Sequence, residues 1–507
     1  MAWATLRLSL LLAALILAKP LAQAQDPVAG GQAGVLALSF RDPLLFLLVS
    51  SSECGLAVAF RPEGGGWVLA LIDPLAGEPR WYLEVPGSVS DLLALDQRIY
   101  VALGGEPGIL SLDCEAESVY MLRVDPGIPG YANARLAWAG DRLVVAYFSH
   151  NYTRIVLLLL DPERVELLAS HSLRLQIPGG VGGVSDVWLA SGGGLIAVAA
   201  NYNVYAYEGR ITGGVSVIGV NGSSLSLLAS YFVEDFKIMG SGIVEGTVYV
   251  AGYFRENRGS IGDSAILWVG ESGRGGLIVG GERAILCLGV LSGGTIVSAQ
   301  SRTLIALAPG EMRAAFYEVD ASIRGSPASV SRCYPAGGLA ALGLIIPGSG
   351  PRPTVLALIP PSSTGSAAGS SFALAVEALD AGARTEPLGP EVLRELGRRG
   401  LLKAELLAHE SPVSVAASPA ALRPQPGGPD MLAVESIPLE APVNATIASP
   451  TMGAATTLPA NESGGLTVFP EEPGGVTPSP SFIASAALAL ALVVLLAVAL
   501  KRRRPPR

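Results

Sequence analysis

Histidine and cysteine are the scarcest sources of chemistry in this chain, whose 507 residues hold 3 His and 4 Cys. His150, His171 and His409 show no metal-ligand spacing and read as surface or turn residues. No Gly-x-Ser-x-Gly stands anywhere, which removes the serine nucleophile elbow. Gly192-Gly193-Gly194 and similar clusters follow strand-like runs with no helix to present to a phosphate, so they read as hairpin turns. No catalytic residue, cofactor-binding residue or metal ligand is assigned, and no cofactor is expected. Charge is thin as well. Only 15% of residues are charged and helical periodicity is nearly absent, which excludes a long coiled coil, while 50% hydrophobic content excludes a wholly disordered chain.

What is present begins with two hydrophobic ends. Arg7, an apolar run over 8–18 and the small-x-small site Ala22-Gln23-Ala24 describe a signal peptide over 1–24, cleaved before Gln25. Its 11 apolar residues are too few to cross the ~30 Å hydrocarbon layer. No Cys follows to take a lipid. At the other end, 482–500 is a 19-residue uncharged stretch followed by Lys501, Arg502, Arg503, Arg504 and Arg507. It reads as a transmembrane helix with a basic cytoplasmic tail over 501–507. Both ends agree on one topology: a single-pass cell-membrane protein with its large N-terminal part extracellular. A sorting signal that is cut off, as in the tripartite tails of some prokaryotic surface proteins, is the rival reading of the same segment.

Seven of the 34 basic residues fall in these two ends, leaving 27 against 43 acids and a net charge of −16 on the exported part. Such a surface repels nucleic acid and anionic lipid, so no nucleic-acid partner is expected.

From about 33 to 440 the chain is a succession of apolar runs of 5 to 8 residues, punctuated by Gly-Gly, Asp-Pro, Pro-Gly and Asn-Gly. One unit has strands over 90–95, 98–103, 109–113 and 119–124; the next repeats the order over 134–139, 142–148, 155–161 and 166–172. Third strands start near Val68, Ile109, Ile155, Val215, Ala265, Thr303 and Thr354, at intervals of 41, 46, 60, 50, 38 and 51. Four strands per 40- to 50-residue unit predict an all-β fold, a β-propeller of about seven blades over 25–440. Eight blades stay open, because 412–417 and 431–437 also read as strands. The strand over 35–40 precedes the first full unit and is assigned to the last blade, closing the ring. The single helical stretch, near 390–408, starts at Gly389-Pro390-Glu391 and is interrupted by Gly397 and Gly400; it reads as a short insertion packed on the last blade.

In the first blade Leu71-Ile72-Asp73-Pro74-Leu75-Ala76-Gly77-Glu78-Pro79-Arg80-Trp81 resembles the repeat of quinoprotein-type (PQQ-like) β-propellers. In that repeat Asp and Gly make a turn and Trp docks between blades. The next unit keeps Leu112-Asp113 with Glu117 for Gly and Met121 for Trp, and the third keeps Leu160-Asp161, so the resemblance covers about two blades. Enzymes of that family pair their cofactor with adjacent cysteines and a calcium site, and no two cysteines are adjacent here.

Four Cys in an exported chain favour disulfides with three alternative pairings. Cys287 and Cys333 stand in first strands of neighbouring units, and Cys54 and Cys114 near turns on one face of neighbouring blades. The expected bonds are Cys54 with Cys114 and Cys287 with Cys333. Residues 441–481 change character: 17 of 41 are Pro, Ser or Thr and five more are Gly, the composition of a stalk that extends up to roughly 120 Å. Glycan acceptor sites stand at Asn151, Asn221, Asn444 and Asn461, the last two in the stalk.

The resulting expectation is a membrane-anchored cell-surface propeller, a non-enzymatic binding or scaffolding module for an extracellular protein or glycan. Two other classes compete: a surface enzyme with its site at the propeller channel, a quinoprotein-like dehydrogenase or a hydrolase, and a structural component of the cell envelope. The longest second-to-third-strand excursions, 201–214 and 255–264, mark the expected contact surface, with Tyr202, Tyr205 and Tyr207 in the first and Arg255 and Arg258 in the second.

Overall fold

The computed structural model describes residues 34–438 apart from short internal stretches, the longest being 388–402. The expected signal peptide, stalk, transmembrane helix and tail lie outside the described residues, as do Asn151, Asn444 and Asn461. Among the described residues no helix is long and apolar enough to cross a membrane, and regular structure is β-strand throughout.

The strands form seven antiparallel sheets. In chain order, sheet I holds Leu44–Ser52, Gly55–Pro62, Trp67–Asp73 and Glu78–Val85, and sheet II holds Ser88–Leu95, Arg98–Gly104, Gly108–Asp113 and Val119–Asp125. Sheet III holds Asn133–Ala139, Arg142–Phe148, Arg154–Asp161 and Glu166–Gln176. Sheet IV holds Val181–Gly192, Leu195–Val204, Arg210–Asn221 and Ser224–Glu234. Sheet V holds Phe236–Val244, Thr247–Glu256, Ser260–Gly270 and Gly273–Val279, and sheet VI holds Cys287–Val290, Ile296–Gln300, Thr303–Leu307 and Ala314–Ile323. Sheet VII holds Arg332–Ala336, Ala341–Ile346, Thr354–Ile359 and, as its fourth strand, Gly34–Phe40.

The middle strands of each sheet are uninterrupted apolar runs because both of their faces are covered. In sheet I, Leu69, Ala70, Leu71 and Ile72 are all fully buried. Seven apolar cores result, each shared by two consecutive sheets, with sheets VII and I sharing one as well. Between sheets II and III, for instance, Tyr100 and Ile109 meet Val145, Tyr147 and Leu158. First strands touch first strands in the same closed cycle. The fold is therefore an all-β propeller, and the seven residues that marked third strands in the sequence fall in the third strands of sheets I to VII.

Closure follows from Gly34–Phe40, which pairs antiparallel with Thr354–Ile359 on one side and with Leu432–Pro438 on the other. The remaining chain then runs backwards around the rim. Phe372–Leu379 adds outside sheet VI, Thr385–Pro387 outside V, Lys403–Ala408 outside III, Ser414–Pro419 outside II, Gln425–Pro426 outside I and Leu432–Pro438 outside VII. This belt corrects two expectations. Residues 403–408, read as the end of a helix, are a strand paired with Glu166–Gln176, because the open edge of sheet III supplies hydrogen-bond partners that outweigh a local helical pattern broken by Gly397 and Gly400. The helix's remaining residues, 390–402, lie outside the described residues. The strands near 412–417 and 431–437 are rungs on sheets II and VII, so they build no eighth sheet.

Both expected disulfides are present. Cys54–Cys114, with Cα atoms 5.4 Å apart, joins sheets I and II, and Cys287–Cys333, at 5.6 Å, joins VI and VII.

Candidate functional site

Strand 4 of each sheet passes into strand 1 of the next through a short link, two residues from Val85 to Ser88 and one from Glu234 to Phe236. Short links keep successive sheets in one orientation, so all hairpins between second and third strands open on one face of the ring. On that face the hairpins of sheets IV and V are the longest. The ladder of sheet IV runs out to Val204 opposite Arg210, and that of sheet V to Glu256 opposite Ser260. The two excursions of the sequence are thus continuations of the sheets rather than separate loops.

Placement of the expected contact residues divides them. Tyr205, Tyr207 and Arg258 lie outside the described residues. Arg255 is exposed, opposite Ile261, which is itself 54% exposed. Tyr202 is not a contact residue: it is 2% exposed in the core shared by sheets III and IV. Burial pushes its phenol well above the ordinary tyrosine range. Its ring occupies space left by Gly214, where a Cβ would come within 2.8 Å of it. Leu45 and Phe46, missed in the sequence, are exposed at the start of strand 1 of sheet I, at the end that opens on the same face, with Phe46 stacked on Trp67 at 5.7 Å. Asn221, the one expected glycan acceptor among the described residues, is exposed beside the hairpin to strand 4 of sheet IV, at the opposite end.

Nearer the ring axis the first strands gather a polar group. Arg135 of sheet III donates from Nε to the Val187 carbonyl of sheet IV at 2.8 Å and from a terminal nitrogen to the Ser90 carbonyl of sheet II. Its guanidinium lies 5.6 Å from the Phe148 ring centre. Asp91 of sheet II accepts from the Leu136 amide at 2.7 Å. Burial raises its carboxyl above the usual range, with the Arg135 charge opposing. Tyr334 of sheet VII, raised by burial, feels Arg332, Arg135 and Asp91. Arg135 is spent on carbonyls of both neighbouring sheets and Asp91 on a backbone amide, so the group works as a tie between three sheets.

His150 lies exposed in a turn, and the other two histidines are structural. His171 is lowered by burial, and His409 sits between the Ser172 hydroxyl and the Pro126 carbonyl. Among the described residues no three His, Cys, Asp or Glu side chains gather in a metal-binding cluster. A cleft between sheets IV and V, lined by Val215, Tyr231, Phe236, Ile238, Val250 and Trp268, presents apolar surface almost throughout and nothing to orient a small ligand.

No protein-family model matches the chain, and no curated protein matches it in sequence. Among the solved structures similar to it are two that each cover 64% of this chain. One is described as the AfRom2 CNH domain, at 11% identity and a TM-score of 0.37 over 98% of that chain; the other is the WD40 domain of SCAP from fission yeast, at 9% identity and 0.33 over 96%. The sheet topology, not these likenesses, carries the fold.

Proposed function

We propose that this protein is a seven-bladed propeller, each sheet one blade, exported and held at the cell surface by its C-terminal helix as a non-enzymatic binding or scaffolding module. Its working face is the one on which the long hairpins of sheets IV and V open. The observation that carries this reading is the pairing of Gly34 with Pro438. That pair lies beyond the Leu36–Leu358 rung, at the end of sheet VII away from its own second-to-third-strand hairpin. Both described ends of the propeller therefore leave from the face opposite the long hairpins. On the hairpin face Arg255, Ile261, Leu45 and Phe46 combine exposed apolar area with a directed donor, and neither described end of the propeller obstructs it.

The partner best suited is a protein, since the face is broad and its exposed side chains set apolar area beside a guanidinium. Arg255→Ala and Ile261→Ala together, in the secreted part ending at 481, test this against cell-surface extracts. Loss of partner capture at an unchanged Tm supports the reading. Capture that survives at an unchanged Tm overturns it.

A further inference from the structure

Sheet I ends on the hairpin face in a corner built by one extra residue. Its first strand slips register between Leu44, opposite Pro62, and Phe46, opposite Arg61, so Leu45 has no partner across the ladder. Such a bulge re-aims the side chains around it, and Leu45 and Phe46 emerge together, 47% and 44% exposed. Phe46 reaches past strand 2 to stack on Trp67 of strand 3, the ring planes 22° apart. Trp67 itself is 4% exposed, in the core shared by sheets I and II. Its indole Nε1 is buried and has no hydrogen-bond partner among the described residues. Buried donors are nearly always paired, because an open one loses its hydration with no bond to offset the loss. On the strand between the two rings, Arg61 is half-buried and donates from Nε to the Gly65 carbonyl at 3.3 Å. Its terminal nitrogens take no partner among the described residues, and the exposed Glu63 on the same hairpin forms no ion pair with it.

Given that this face is the protein's binding surface, we infer that this corner of it is the anchor site for a partner protein's segment in which an acidic residue stands beside an aromatic or aliphatic one. The acid takes the Trp67 and Arg61 donors, and the apolar side chain packs on Leu45 and Phe46. The two open polar side chains beside the rings are both donors, and one carries a full positive charge, so their complement is an acceptor with negative charge. Charge-assisted bonds of that kind are also the ones strong enough to draw a partly screened indole N–H into use. The two apolar side chains decide between classes of partner: an acidic sugar would set its hydroxyls against the aliphatic surface of Leu45, whereas a protein segment covers it with carbon. Phe46, Arg61 and Trp67 all stand on paired strands of sheet I, so little ordering is needed when the segment docks.

Magnetic resonance of the full chain carrying isotope-labelled tryptophan tests the site, since each of the 6 Trp gives one indole N–H signal and Trp67→Phe identifies which belongs to Trp67. The probe is the capped peptide Gly-Ser-Phe-Glu-Leu-Glu-Gly-Ser, with a neutral twin in which Gln replaces both Glu. The Trp67 signal is expected to move downfield with the acidic peptide, which should bind about fivefold or more tightly than its twin. Trp67→Phe keeps a ring and removes the orphaned donor, so it should weaken the peptide about fivefold or more with no loss of Tm, as should Arg61→Gln. Four results overturn the inference: a Trp67 signal unmoved at millimolar peptide, equal affinity for the two peptides, binding unaffected by both substitutions, or a shift produced by oligogalacturonate and not by the peptide. The comparison of the two peptides on the parent stands alone should a variant fail to fold. A failed titration beside partner capture that Arg255→Ala with Ile261→Ala abolishes removes this site alone, whereas capture that survives the double change removes the wider reading of the face.

Discussion

Ser172 Oγ lies 2.7 Å from His409 Nδ1, and the same imidazole places Nε2 2.8 Å from the Pro126 carbonyl oxygen. A carbonyl can only accept, so Nε2 carries a proton, and Nδ1 pairs with the serine hydroxyl. The arrangement has the outline of a nucleophile and base, but Ser172 is 0% exposed and no substrate reaches it. It pins the belt to sheet III through Ser172 and to the end of sheet II through Pro126.

His409→Ala leaves the buried Ser172 hydroxyl unpaired and is expected to cost about 1–3 kcal/mol in denaturant unfolding. Ser172→Ala with His409→Ala should cost less than the two single changes added, by about 0.5 kcal/mol or more. Strict additivity would show that the contact does not hold the belt.

A second tie is Asn201, fully buried in strand 2 of sheet IV. Its side-chain amide accepts from the Ile238 N–H at 2.9 Å and donates to the Ile238 carbonyl at 3.0 Å. Ile238 is on the first strand of sheet V, whose inner edge has no neighbouring strand, beside a register shift between Ile238 and Gly240. Asn201→Ala strands a buried donor and acceptor together and is expected to destabilise by about 2–4 kcal/mol. Asn201→Asp can reproduce both bonds only as the protonated acid, which burial favours, so its deficit should grow as pH rises from about 4 to about 8. Asn201→Leu, which has neither group, should show the full loss at every pH, and an unchanged stability for Leu would disprove the paired geometry.

The sequence carried the strands of the ring because each middle strand is a local apolar run buried on both faces. Cys54 with Cys114 and Cys287 with Cys333 followed once the runs were ordered into units. The belt was not legible for the opposite reason. Thr385–Pro387 and Gln425–Pro426 are three and two residues long, too short for any period to register. Lys403–Ala408 takes its shape from a partner strand more than 200 residues earlier. Leu402, Leu406 and Leu407 look helical when read alone. Tyr202 misled for a related reason: a polar neighbourhood of Asn201 and Asn203 reads as a loop, whereas Gly213-Gly214 across the ladder was the sign that a bulky ring needed room.

Cys287–Cys333 spans 46 residues next to the closure at sheet VII. By loop entropy alone, a bond of that span stabilises by about 4 kcal/mol. Cys287→Ser with Cys333→Ser is expected to lower the unfolding free energy by an amount of that order. Thermal unfolding with and without reductant checks it: reductant should lower the Tm of the parent and much less that of a variant lacking both bonds. An equal drop in the two would show that reduction acts elsewhere.

Turns after the third strands of sheets I and III repeat one device. Asp73 accepts from the Leu75 and Ala76 amides, and Asp161 from those of Glu163 and Arg164. Backbone donation, chiefly from Ala76 and from Arg164, lowers both carboxyls, with Arg80 and Arg142 adding attraction and Arg142 lying 3.0 Å from Asp161. A carboxyl lowered on folding contributes stability that is present above its unfolded pKa, near ~3.9, and lost as pH falls through the folded value. Asp161→Asn should therefore lower the Tm at pH 7. The gap between parent and variant should narrow as pH falls below about 4. Tm measured from pH 7 to pH 2 decides the matter, since a gap that stays constant, or widens in acid, means the charged form of Asp161 does not hold the turn.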